Sequence, residues 1–271
     1  MTADPSDLTR RGRTAAFFDL DKTIIATSSV TAFSRPFFAG GLITRREVLR
    51  TAYAQFLFLL GRADTEQTDR LREFLSSMVK GWDVAQVSQI VTETLHLHIE
   101  PTVYAEALAL IHEHQLAGRD VVIVSASGSE VVEPIAEMLG ADHVIATRME
   151  VVDGKYTGEI AFYAFGENKA TAVRELVEEK GYDLEASYAY SDSLSDAPLL
   201  DLVGHGHVVN PDRTLRKIAA EHGWETLTFV RPVALRPSFP PPQRSVPAAA
   251  SVAAAAVGIV LLVRHRRGRP S

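Results

Sequence analysis

Apolar residues along this chain change spacing several times, and each change marks an element. Ala15, Ala16, Phe17 and Phe18 form a short unbroken run that reads as a strand buried on both faces, and it stops at Asp19-Leu20-Asp21-Lys22-Thr23. Past Thr23 the spacing turns helical: Val48, Leu49, Ala52, Phe56, Leu59 and Leu60 share one stripe, Leu71, Phe74, Leu75 and Met78 a second, and 84–97 a third. The next convincing strand is Asp120-Val121-Val122-Ile123-Val124-Ser125. From there helices and strands alternate. A helix is predicted over 130–139, a short strand near Val144, and a hairpin turned at Asp153-Gly154, a dipeptide suited to positive φ angles. A helix over 169–180, a strand over 187–190, a helix over 197–202, a strand at Val208-Val209, a helix over 215–221 and a strand over 226–229 complete the series.

Such alternation predicts an α/β fold: a Rossmann-like, doubly wound, mostly parallel sheet with helices on both faces and a helical insertion after the first strand. Ligands bind such sheets beyond the carboxyl ends of the strands. Asp19, Ser125 and Asp192 each stand at the end of a predicted strand, where one shared site requires them.

The two carboxylates of Asp19 and Asp21 are separated by one residue. If the strand continues they point the same way, and if it breaks they fan around one point. Anions this close repel unless a metal, a shared proton or a phosphoryl-transfer role divides their work. The competing reading is an acidic turn with Thr23 capping the next helix.

The ends of the chain differ from the middle. Residues 1–13 are polar and carry Arg10, Arg11 and Arg13, so they are expected to form a disordered arm without a secretory signal core. A body over 14–230 gives way at Arg231 to a proline-rich, stiff linker over 231–247. Residues 248–263 are then apolar apart from Ser251 and Gly258, and a basic tail follows over 264–271. With Val246 and Pro247 the apolar segment approaches the length of a transmembrane helix, so a C-terminal membrane anchor with a cytoplasmic body is expected. Its richness in Ala keeps a disordered or surface-helical segment as the alternative.

The chain has 271 residues, 46% of them hydrophobic, which is enough for a substantial core. Its formal net charge of −6 includes seven arginines and no acid in 231–271, so the remainder carries −13. A body this acidic repels polyanions, which excludes nucleic acid as its partner. There is no cysteine, hence no disulfide, thiolate metal site or cysteine nucleophile. His96, His98, His112 and His114 lack metal-ligand geometry and are expected at the surface or in the core.

Four features stand in order: the Asp19/Asp21 pair, Ser125 after an apolar strand, Lys169 opening a helix, and Ser191-Asp192-Ser193-Leu194-Ser195-Asp196. Alone, each has an ordinary reading: Ser125 as a helix N-cap, Lys169 as a solvated helix residue, Asp192 and Asp196 as a turn and a cap. Together, as DLDKT, VVIVSAS, GENKA and YSDSLSDAPLL, they resemble the haloacid dehalogenase superfamily, and most closely its phosphoserine-phosphatase-like branch. The resemblance spans about 14–230 and includes the hairpin VVDGKYTGEI.

The resemblance implies a core over 14–26 and about 115–230, with a helical cap over about 27–114 that closes on the site. It implies a Mg²⁺-dependent phosphomonoester hydrolase. Asp19 would be the nucleophile of an aspartyl-phosphate, and Asp21 would protonate the leaving oxygen and then activate water. Mg²⁺ would be held by Asp19, the backbone carbonyl of Asp21 and Asp192, with Asp196 holding a metal-bound water or orienting Lys169. Ser125, the nearby amide of Ala126, Ser195 and Lys169 would contact the phosphoryl group, and Thr23 would brace the loop. Where this branch has Gly on both sides of its first motif-four Asp and Asn before the second, this chain has Ser191, Ser193 and Ser195. The stretch Ile24-Ile25-Ala26-Thr27-Ser28-Ser29 also lacks the acid that binds the amino group in serine-specific members.

That missing acid weakens phosphoserine itself as the substrate, and the expectation is a small phosphorylated metabolite, phosphoserine-like in class. A membrane lipid phosphate, of phosphatidylglycerophosphate or lysophosphatidate type, is the alternative. It would require Phe33, Phe37, Phe38, Tyr53, Phe56 and Phe58 to line a greasy pocket, whereas the favoured expectation makes them the cap's own core. A non-enzymatic, membrane-tethered binding protein is the third reading, and the intact Asp19, Asp21, Lys169 and Asp192 argue against it.

Overall fold

The computed structural model describes residues 13–43 and 78–232. The helical stripes expected at 48–60 and 71–78, together with Tyr53, Phe56 and Phe58, fall almost wholly outside the described residues. So do the arm over 1–12, most of the linker and the apolar segment 248–263. Among the described residues no helix is long and apolar enough to cross a membrane.

The described elements run β1 (Ala15–Phe18), α1 (Ser29–Ala39), α2 (Val84–His98), α3 (Ala105–Leu116), β2 (Asp120–Gly128), α4 (Ser129–Leu139), β3 (His143–Val152) and β4 (Lys155–Phe162). They continue with α5 (Glu167–Lys180), β5 (Tyr188–Ser191), α6 (Ala197–Leu200), β6 (His205–Val209), α7 (Arg213–His222) and β7 (Glu225–Leu227). Seven strands form one sheet in the order β4-β3-β2-β1-β5-β6-β7. All neighbours are parallel except β3 and β4, which the hairpin at Asp153 (φ 51°) and Gly154 (φ 75°) joins antiparallel. The chain moves outward from β1 through β2 and β3, then returns to place β5 on the other side of β1. That reversal opens a crevice at the carboxyl ends of β1 and β5.

β1 is apolar at every position because both of its faces are covered. Phe18 joins Ile123, Ile111 of α3, Val132 of α4 and Val91 of α2 in one cluster. Phe17 joins Val122, Val173 of α5, Leu199 of α6 and Leu215 of α7 in the other. Burying each ring contributes roughly 2–3 kcal/mol. Helix ends follow local chemistry: Ser28, Asp83 and Asp212 cap α1, α2 and α7 through their side chains, and Gly140, Gly181 and Gly223 close α4, α5 and α7.

Helix α3 is the element that periodicity does not single out. Leu108, Ala109, Leu110, Ile111 and Leu116 surround it with apolar side chains, and Leu116 is exposed, so no single stripe marks its buried face. It packs on β1 and β2. A cap boundary near residue 114 would cut through it. The insertion instead leaves and re-enters the sheet through two adjoining segments, with Ala26 N–H bonded to the Thr102 carbonyl (2.8 Å) and Tyr104 N–H to that of Ile24 (2.9 Å).

Within the insertion, Phe33 is fully buried, its ring 5.8 Å from Phe37, which meets Trp82 edge-on at 5.7 Å. These rings pack on each other, as the cap-core expectation has it, while Phe38 lies exposed. Predicted boundaries shift by a few residues elsewhere. α6 ends at Leu200, and β7 ends at Leu227 because Asn210 takes the Phe229 backbone at 2.9 and 3.0 Å and draws it off the sheet.

His114 of α3 is buried against Phe18, Tyr188 and Tyr190 and shares a 2.8 Å hydrogen bond with the Tyr190 hydroxyl. Burial, with Arg119 beside it, pushes its pKa down to about 4. A histidine held neutral this way binds fewer protons folded than unfolded, so its contribution is present above the unfolded pKa and is lost as pH falls from 6.5 towards about 4. His114→Gln should therefore lose less stability than wild type between those pH values, by at most about 3 kcal/mol. Urea denaturation of both proteins at pH 7 and pH 4.5 measures this, and equal acid sensitivity would contradict it.

Candidate active site

The chain breaks out of the sheet directly after Phe18. Asp19 N–H still bonds the Tyr190 carbonyl (2.9 Å), but the Ile24 and Ile25 amides turn back onto the Leu20 carbonyl (2.9 and 3.1 Å). Lys22 takes a left-handed φ of 62° in this loop. The carboxylates of Asp19 and Asp21 therefore fan around the loop and face different partners.

Asp19 Oδ1 accepts a 2.7 Å bond from Lys169 Nζ, which also donates to Asp196 Oδ2 at 2.9 Å. Lys169 is 2% exposed, so the solvated reading of this residue fails. Gly166 makes the approach, since its φ of 56° with ψ of −128° is open in practice only to glycine, and α5 then starts with Lys169 in its first turn. Asp196 follows β5 on a short 3₁₀ turn, caps nothing through its side chain, and is held by the Ser191 hydroxyl at 2.7 Å.

Asp21 points elsewhere. Its Oδ1 accepts from Ser29 N–H (2.9 Å), and its Oδ2 from the hydroxyls of Ser29 (3.1 Å) and Ser127 (3.2 Å). Ser125 is buried within β2, at the register shift three residues before the strand ends, with its hydroxyl accepting from Ser127 N–H at 3.2 Å; α4 is capped at Gly128, so Ser125 is no helix cap. The Ala126 carbonyl is fixed by Thr147 Oγ1 at 2.7 Å. Thr23 is buried, and its hydroxyl makes no hydrogen bond among the described residues. Ser195 exchanges a 2.8 Å bond with Ser193 rather than reaching the acids.

One buried ammonium thus faces an excess of carboxylates. Burial raises Asp19 most, Lys169 opposes it, and the charges of Asp196 and Asp192 raise it further, to about 8. Burial likewise lifts Asp192 to about 6 against the pull of Lys22. Asp21 is raised by burial and held back by its bonds to Ser29 and Ser127. Lys169 is raised despite its burial, because Asp19 and Asp196 hold its proton.

Asp196 Oδ1 is buried without a hydrogen-bond partner among the described residues. An all-oxygen set that is short of positive charge suits a hard, hydrated cation. Among the described residues no three acidic or imidazole side chains converge as a ready cage. A Mg²⁺ site built from two carboxylates, a main-chain carbonyl and waters does not require one.

The haloacid dehalogenase-like hydrolase family matches residues 16–201. The chain belongs to this family. It is 60% identical over 258 residues to a Mycobacterium tuberculosis protein named a probable phosphatase, covering 95% of this chain and 88% of that one. It is 34% identical over 267 residues to a phosphoserine phosphatase of the same organism, covering 98% and 83%. Identity to a histidinol-phosphatase of Neisseria meningitidis is 30% over 219 residues, covering 79% and 98%. A solved structure of a Bordetella pertussis protein of unknown function superimposes with a TM-score of 0.70 at 30% identity, covering 79% and 98%.

In this haloacid dehalogenase-like chain the motif residues lie at one crevice, Ser191 of the fourth motif holds Asp196, and Ser29 and Ser127 are partners that motif reading passed over. Ser127 lies inside VVIVSAS, where its polarity was a usable signal. Ser29 was hidden by Ser28, since either serine could cap the helix.

Replacing Lys169 with Met leaves Asp19 and Asp196 buried without a cation. The deficit should grow as pH rises through the range where Asp19 ionises, reaching about 3 kcal/mol at pH 8.5. Urea denaturation of Lys169→Met and wild type in EDTA at pH 5.5 and 8.5 reads it, and a deficit independent of pH would contradict the pairing.

Proposed function

We propose that this haloacid dehalogenase-like phosphatase is a Mg²⁺-dependent phosphomonoester hydrolase that works through a phosphorylated Asp19, on a small polar substrate of phosphoserine type. The observation that carries the reading is the division between the two acids: Asp19 is bound to Lys169, while Asp21 is turned to neutral hydroxyls.

Asp19 Oδ1 is engaged by Lys169, so Oδ2 attacks phosphorus as the bond to the leaving oxygen breaks. Asp21 gives its proton to that oxygen, then takes one from the water that attacks the phosphorylated Asp19 and releases inorganic phosphate. The Ser125 hydroxyl and the Ala126 amide hold phosphoryl oxygens, Ser195 contacts substrate once its bond to Ser193 is exchanged, and Lys169 offsets charge gathering on the transferred group. Asp19, Asp192 and the Asp21 carbonyl would hold Mg²⁺, with Asp196 behind them, and the ion supplies the charge that lets two anions meet.

Two features support a small polar substrate over a lipid. Phe33 and Phe37 are spent on the insertion's own packing with Trp82. Relatives with named substrates include a phosphoserine phosphatase and a histidinol-phosphatase. Those two names differ, so they support the class of phosphomonoester and not one alcohol. The apolar segment 248–263 is proposed to tether the protein to a membrane with the catalytic body cytoplasmic.

The protein should release phosphate from 4-nitrophenyl phosphate with Mg²⁺ and not with EDTA, and Asp19→Asn should lose about 1,000-fold or more. Turnover by Asp19→Asn at the wild-type rate would sink the mechanism. Both Asp192 and Asp19 must ionise to bind the cation, so the Mg²⁺ concentration giving half-maximal activity should fall from pH 6 to pH 8. In a panel of phosphoserine, histidinol phosphate, glycerol phosphate and lysophosphatidate, preference for the lipid would refute the substrate class. On cell fractionation, the full chain should sediment with membranes and a chain ending at Pro232 should not; equal distribution would count against the tether.

A further inference from the structure

Asp21 is held from two directions. Ser29 is the first residue of α1, in the insertion, and Ser127 lies on β2 of the sheet. Their hydroxyls are 2.7 Å apart and both reach Asp21 Oδ2, while Ser29 N–H takes Oδ1. Among the described residues these groups make every hydrogen bond to the Asp21 carboxylate. The helix does not require the Ser29 hydroxyl, because the neighbouring Ser28 caps α1 by accepting from Thr31 N–H. Ser29 is 1% exposed, and its side chain is committed to this contact.

The donor types differ in a way that matters for proton transfer. An amide N–H can only donate, so Oδ1 must stay an acceptor. A hydroxyl donates or accepts by rotating, so a proton on Oδ2 is tolerated beside Ser29 and Ser127. The arrangement keeps the proton on one oxygen and restrains the carboxyl plane from both sides.

We propose that Ser29 and Ser127 are positioning residues that hold Asp21 for protonation of the leaving oxygen, so that the insertion and the sheet must both be in place for the acid to act. The inference rests on the assignment of Asp21 as the proton donor. In the transfer step the bond from Asp19 Oδ2 to phosphorus forms, the bond from phosphorus to the leaving oxygen breaks, and the proton on Asp21 Oδ2 passes to that oxygen. A weakly basic leaving group requires little of this proton, and a strongly basic one depends on it.

Phenyl phosphate and 4-nitrophenyl phosphate share a shape and differ mainly in leaving-group basicity, which makes them suitable probes. We expect Ser29→Ala to lower kcat/KM about tenfold further for phenyl than for 4-nitrophenyl phosphate, a fraction of the full acid effect because the Ser29 amide remains. Ser127→Ala should shift the ratio in the same direction, the double variant further, and Asp21→Asn furthest. Ser127 is partly exposed, so its variant keeps the test open if Ser29→Ala does not fold, which thermal melting reports. Equal losses on both substrates, or no loss, in folded serine variants while Asp21→Asn separates the two would overturn the positioning role alone. If Asp21→Asn itself fails to separate them, the acid assignment falls and the inference with it.

Discussion

The burial of one lysine between two carboxylates is the constraint on which this site depends. An ammonium 2% exposed is tolerable only if its charge is met at short range, and Asp19 and Asp196 meet it at 2.7 and 2.9 Å. Those three residues come from the end of β1, the first turn of α5 and the turn after β5. Holding them together therefore fixes three separate connections of the sheet at its switch point. The same arrangement buries its acids, and burial first, with Asp196 adding to it, raises both Asp19 and Asp192. A cation bound there would stabilise the ionised form of these acids.

Much of this was legible in the sequence because the central strands are buried on both faces. Ala15–Phe18 and Val121–Val124 stand as unbroken apolar runs, and each is followed at once by a polar residue of the site. Strand ends in a parallel sheet are where side chains meet, so ordered motifs could be placed before any coordinate. Helix α3 was less legible for the opposite reason: apolar residues encircle it, and periodicity needs a polar face to register against. The Asp19/Asp21 pair stayed ambiguous because whether it fans or aligns depends on the Leu20 carbonyl recapturing the Ile24 and Ile25 amides. That is a backbone event with no side-chain signature.

The insertion bears on the chemistry through its attachment as much as through its surface. Its entry and exit segments are laced to each other by the Ala26 to Thr102 and Tyr104 to Ile24 bonds, and Ser29 follows three residues after Ala26. Any shift of the inserted helices relative to β2 is therefore felt within one turn of the contact to Asp21. Phe33, Phe37 and Trp82 serve the insertion's internal packing, while Phe38 stays exposed.

The serines of the fourth motif show how a departure from a family pattern can be absorbed. Ser191 is buried, and its hydroxyl supplies Asp196 Oδ2 with a second donor beside Lys169. Glycine in that place would leave this acceptor to the lysine alone. The Ser191 oxygen also accepts from Ser193 N–H at 3.1 Å, and Ser193 in turn takes the Ser195 amide, so the loop is tied by side chains where glycines would leave it loose. Ser195 is occupied with Ser193 at 2.8 Å, which removes it as a free donor to substrate unless that bond is exchanged. The serines thus stiffen the loop carrying Asp192 and Asp196 and occupy their own hydroxyls in doing so. On that argument the serines keep Asp196 Oδ2 engaged with Lys169 and Ser191, and the part of the motif they alter is the Ser193–Ser195 turn.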